Sequence, residues 1–62
     1  MAAAPLAAEA IAARFGGRLE WVGHCSYLVF RTARSRDDAA EALRAAGFTN
    51  ARKAGRTEIE LL

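Results

Sequence analysis

Trp, His, Cys and Tyr each occur once in the chain, and all four fall within the stretch "WVGHCSYLVF" as Trp21, His24, Cys25 and Tyr27. A thiol beside an imidazole is the pair from which a nucleophile and its general base are made, but that chemistry needs the two side chains to converge. On a strand, consecutive side chains point to opposite faces, so His24 and Cys25 diverge unless a turn brings them together. A structural zinc site needs about four ligands, which one Cys and one His supply only if two chains share them. The stretch "FGGR" lacks the glycine spacing and the Lys of a phosphate loop, and it follows a helical pattern where such a loop follows a strand. The spacing therefore assigns no catalytic residue, no metal and no cofactor, and the chain is expected not to be an enzyme.

The elements that hold these residues belong to a small molecule. A chain of 62 residues buries about 60% of the surface its unfolded form exposes, which limits it to one small domain over 1–62 with little interior for a small-molecule substrate. Cys25 has no partner for a disulfide, which suits a reducing, cytoplasmic setting. The leading "MAAAPLAAEAIAARF" is apolar but carries Glu9 and Arg14 and lacks a basic leading region, so neither a signal peptide nor a membrane segment is expected.

Pro5 fits a first helical turn, and apolar residues at helical spacing predict a helix from about Pro5 to Arg14 that "FGG" stops. "RLEWV" then alternates as a half-buried strand does, Gly23 marks a turn, and "SYLVFR" is the returning strand. Ser35 with Asp38 three residues later predicts a cap for a second helix from about Arg36 to Ala46, with both Asp37 and Asp38 in its first turn. Gly47 ends it, with Phe48 folding back on Leu43 or Ala42. A short strand, a turn at Gly55 and a last strand follow, with Thr57, Ile59 and Leu61 on one side and Glu58 and Glu60 on the other.

The order is α-β-β-α-β-β. Sliding the chain by 32 residues lays "AAEAIAARFGGRLEWVGHCSYLVF" over "AAEALRAAGFTNARKAGRTEIELL" without a gap, placing Gly23 on Gly55 and Tyr27 on Ile59, which suggests an internal duplication of an α-β-β unit. The expected fold is α+β and two-layered, with a four-stranded antiparallel sheet and two helices on one face. Leu6, Ile11, Phe15, Leu19, Trp21, Leu43, Phe48, Ile59 and Leu61 are its expected core.

One strand departs from the alternation that such a sheet requires. "YLVF" is apolar at every position, so its strand has an apolar strip on the open face in either register. If Tyr27 and Val29 point inward, as the 32-residue alignment implies, Leu28 and Phe30 point out beside Val22; a turn one residue shorter exposes Cys25, Tyr27 and Val29 with Val22 instead. Either the N-terminal "MAAAP" or a loop covers that strip, or it is a contact surface. The candidate interface is therefore Val22, Tyr27, Leu28 and Phe30, rimmed by Arg18, Glu20 and Arg31, an apolar centre with an arginine rim.

Charge offers a different partner. The chain has eight Arg to one Lys and a net charge of only +2, and guanidinium suits bidentate contacts to carboxylate or phosphate. Arg31, Arg34 and Arg36 in "RTARSR" and Arg52, Lys53 and Arg56 in "ARKAGR" are the residues that would meet nucleic-acid phosphates. Asp37 and Asp38 follow the first cluster and Glu58 and Glu60 the second, and neither helix shows a base-reading polar face.

A helix followed by "GGRLEWVGHCSYLVF" also resembles the small HicA-type messenger-RNA interferases, which carry a Gly-Ser-His element entering a strand. The matching residues are Gly23 and His24, in the first half of the chain, and the resemblance implies RNA cleavage by His24. The Ser between Gly and His is absent, and two strands precede the second helix where that family has three. The reading of the residues themselves is a non-enzymatic, cytoplasmic protein that docks on itself as a homodimer or on a larger protein. Its size suits a regulator or inhibitor, of the kind phages carry, of a larger complex that handles nucleic acid.

Overall fold

Two glycines end the two helices with the same pair of hydrogen bonds. The structure, a computed structural model, describes residues 3–61 and the side chains from Leu6 onward. Helix α1 (Ala3–Ala13) closes where Gly16, at φ 80°, donates to the Ala13 carbonyl at 3.1 Å and Gly17 to the Ala12 carbonyl at 2.9 Å. Helix α2 (Ala33–Ala45) closes where Gly47, at φ 94°, donates to Arg44 and Phe48 to Leu43, both at 3.0 Å. Positive φ is cheap only for glycine, and the turn satisfies carbonyls that the helix leaves without donors.

The start of α2 differs from the expectation. Thr32, in extended conformation, is the cap: its hydroxyl accepts from the Ser35 amide at 3.0 Å, and its carbonyl accepts from the Arg36 amide at 3.1 Å. Ser35 does not cap, and the helix begins three residues earlier than its pattern suggested. Asp37 and Asp38 consequently lie beyond the first turn, and the buried stripe becomes Arg36, Ala39 and Leu43.

Between and after the helices lie β1 (Arg18–Val22), β2 (Cys25–Val29), β3 (Ala51–Ala54) and β4 (Glu58–Leu61), completing the order α-β-β-α-β-β. They form one antiparallel sheet in the order β1-β2-β4-β3, so the two hairpins join through β2 and β4. Gly23 (φ 63°) and His24 alone separate Val22 from its partner Cys25. Glycine at the first of two central positions is the pattern of a type II′ turn, whose twist matches that of the strands.

That turn fixes which side chains go in. Leu19, Leu28, Ile59 and Lys53 are cross-strand partners on one face, and Glu20, Tyr27, Glu60 and Arg52 are partners on the other. Ala8 and Ala12 of α1 and Ala39 and Leu43 of α2 pack on the first face with Leu28, Phe30 and Ile59. Both helices thus cover one side of the sheet, in an α+β arrangement of two layers.

Three expectations are corrected by this packing. Leu6 and Trp21, expected in the core, are 63% and 58% exposed, whereas Leu28 and Phe30, offered as interface, are 0% and 4% exposed. The 32-residue alignment overlays Tyr27 on Ile59, yet these side chains lie on opposite faces, because Leu28 is the cross-strand partner of Ile59. Alanines on both helices leave room for few large side chains, and Leu28, Leu43 and Ile59 are the largest that are fully buried. Close approach extends to Gly17, where a Cβ would sit 2.8 Å from Cζ of the Phe30 ring.

Candidate protein-contact face

The side of the sheet away from the helices brings together Arg18, Glu20 and Val22 of β1, Cys25, Tyr27 and Val29 of β2, Glu58 and Glu60 of β4, and Arg52 and Ala54 of β3. Its centre is apolar. Val22, Tyr27, Val29 and Ala54, with Glu20 and Glu58, line a surface depression of about 310 Å³. Val22 is 65% exposed, and Tyr27 and Val29 are half-buried. The strip predicted from "YLVF" exists, in the register set by the two-residue turn.

Charge surrounds this centre in pairs. Arg18 bonds Glu20 at 2.8 Å within β1, and Arg52 bonds Glu60 at 2.8 Å between β3 and β4. Glu58 has no ion-pair partner among the described residues, so three carboxylates face two guanidinium groups and the face has a negative excess. The carboxylate of Glu60, opposite Tyr27, holds the phenol above its ordinary pKa of 10.0, and burial, Cys25 and Glu58 push the same way. Each effect disfavours adding a phenolate to a negative surface.

Of the residues named for the interface and its rim, the face gathers Arg18, Glu20, Val22 and Tyr27 and omits Leu28 and Phe30. Arg31 is not on its rim: with Thr32, Ala33, Arg56 and Thr57 it lines a separate depression of about 540 Å³. Val29 and Cys25 belong to the alternative with the shorter turn, which is the one observed, whereas Ala54 and Glu58 are contributors that sequence reasoning left out. The "VGHC" turn held the signal for Val29, since a two-residue loop with Gly first places Val29 on the side of Val22. Ala54 and Glu58 depend on β4 pairing with β2, which no local pattern announces.

The basic residues proposed for nucleic acid are scattered. Arg36 is buried: it donates to the carbonyls of Gly55 at 3.2 Å and Glu58 at 3.4 Å and to Asp37 at 2.7 Å, tying α2 to the β3–β4 turn. It is therefore corrected from a phosphate contact to a structural bond. Arg52 is held by Glu60 on the sheet face, and Lys53 lies 3.3 Å from Asp37. Hydrogen bonds from Arg36 and Lys53 hold the Asp37 carboxyl below its ordinary value of 3.8. Arg31, Arg34 and Arg56 are exposed.

His24 lies in the turn and Cys25 begins β2 on the helix-free side, both exposed. Among the described residues no three His, Cys, Asp or Glu gather as a metal would require, and no helix is long and apolar enough to cross a membrane. Met1 and Ala2 of the "MAAAP" segment lie outside the described residues; Ala3 begins α1, which packs on the opposite side of the sheet. In comparisons with protein-family models, curated proteins and solved structures, the chain has no significant match.

Proposed function

We propose that this chain is a non-enzymatic binding protein that acts by protein–protein contact through the helix-free face of its sheet. The observation that carries the reading is the apolar centre of Val22, Tyr27, Val29 and Ala54, open to solvent and ringed by charge. Aromatic and aliphatic anchors with a polar rim are what contact surfaces use, and a buried apolar centre supplies most of their affinity. The negative excess at Glu58 disfavours a second copy stacked on this face, because like charges would meet. It favours a partner that presents an apolar side chain flanked by Lys or Arg. Binding of this kind suits a regulator or inhibitor of a larger assembly.

Capture of partners from the native cell with the wild-type chain and with Val29→Asp tests this. The expected result is a protein retained by the wild type and lost with Val29→Asp while the variant keeps its native circular dichroism. Retention of the same protein by the folded variant would refute the reading.

A second reading, contact with nucleic-acid phosphates, is favoured by one observation. Arg31 and Arg56, distant in sequence, line one depression at the start of α2, where the helix N-terminus adds positive potential.

A further inference from the structure

Both outer strands of the sheet carry an ion-paired arginine on the helix-free side, Arg18 with Glu20 on β1 and Arg52 with Glu60 beside β3, and the two edges differ in what else they present. On β3, Arg52 is held by Glu60 at 2.8 Å and Lys53 by Asp37 at 3.3 Å. Charged side chains along an outer strand discourage pairing with another chain. On β1, Trp21 and Val22 are 58% and 65% exposed, and they are consecutive, so one faces each side of the sheet. With Leu6 they are the exposed large hydrophobic residues among those described. Strand β1 has β2 as its single neighbour, and half of its backbone N–H and C=O groups therefore face outward.

We propose that β1 is the strand by which two copies of this chain pair, antiparallel across a two-fold axis at Leu19, into one continuous eight-stranded sheet. A two-fold axis perpendicular to the sheet sets side chains of the same face opposite each other, which leaves three registers within β1. Centring on Glu20 sets carboxylate against carboxylate. Centring on Trp21 sets Glu20 against Val22 and leaves Arg18 beyond the strand. Centring on Leu19 sets Arg18 of each copy opposite Glu20 of the other, so that charge is complementary at both ends.

The helix side of the sheet fits the same register. Trp21 of each copy then lies opposite Gly17 of the other, a residue with no side chain of its own. The Phe30 ring stands against Gly17, since a Cβ there would be 2.8 Å from its Cζ. The indole therefore meets a glycine backbone beside an aromatic ring, and its exposed surface is covered. This contact uses Arg18 and Glu20 from the rim of the helix-free face and leaves the centre of that face, Tyr27, Val29 and Ala54, uncovered.

Sedimentation equilibrium over a range of concentration, read together with Trp21 emission, tests the proposal. The expected result is a mass that rises from one chain to two, with emission shifting to the blue over the same range. Glu20→Arg weakens association about ten-fold or more by setting like charges opposite each other twice, and the exchange Arg18→Glu with Glu20→Arg restores it to within about three-fold. Trp21→Lys weakens it as well, while Ala54→Asp, on the opposite outer strand of the sheet, leaves it unchanged, which separates this contact from partner binding. A one-chain mass at every concentration, or a dimer indifferent to Glu20→Arg, would overturn it.

Discussion

Neighbouring residues Leu28 and Val29 differ by one methylene and by the face of the sheet they occupy, and truncating each to Ala measures what that face is worth. Leu28 is 0% exposed, between Leu19 and Ile59 on the flanking strands and beneath two alanine-rich helices. Leu28→Ala removes buried carbon from a core with few large side chains to refill the space, at a cost of about 3 kcal/mol within the usual range of about 2–5. A chain of 62 residues has a total stability of about 3–9 kcal/mol, so one such truncation takes a third or more of it. At about 4–8 °C per kcal/mol for a domain of this size, the melting temperature falls by about 12–24 °C. Val29→Ala loses two methyl groups from a half-buried position on the helix-free side, and costs about 1 kcal/mol or less. Thermal and urea unfolding by circular dichroism, at one protein concentration because self-association adds apparent stability, compares the two. Equal losses, or a larger loss at Val29, would refute the register on which the contact face rests.

The remaining expectations concern charge. Arg36 and Lys53 depress the Asp37 carboxyl, so the stability it contributes is complete above the ordinary carboxylate range and is lost as pH falls through the depressed value. Asp37→Asn should therefore lower the urea midpoint at neutral pH and narrow its difference from wild type in acid; a gap unchanged by acid would contradict the assignment. If nucleic acid is a partner, retention on RNA or DNA at low salt should fall steeply as salt rises and weaken on Arg31→Ala with Arg56→Ala, while Arg52→Ala leaves it nearly intact. Absence of retention at low salt disposes of that reading.

Much of this architecture is written locally. Glycines at 16 and 47 end both helices because backbone geometry alone decides where a left-handed residue is tolerated, and "VGHC" specifies a tight turn for the same reason. Alternation in "RLEWV" and "TEIELL" marks strands, and a strand apolar at every position announces that an apolar strip must face outward somewhere. Length carries the expectation of one small domain, because so short a chain buries too little surface to support a second core.

Tertiary packing decided the rest. Whether Leu28 or Val29 points inward depended on a one-residue difference in turn length, which the glycine in "VGHC" allows but the alternation on either side leaves open, since the side-chain period of a strand is two. Trp21 is apolar enough for a core, but β1 is an outer strand, and the indole there stays largely exposed. Arg36 reads as one more surface cation until α2, starting at Thr32, turns it toward the carbonyls of Gly55 and Glu58. Pairing of β2 with β4 brings Glu58 and Ala54 beside Tyr27, and that juxtaposition lies between distant segments. The four rare residues of "WVGHCSYLVF" are likewise separated by the hairpin: its outer strand, turn and inner strand give Trp21 an edge, His24 a tip, and Cys25 and Tyr27 the open face.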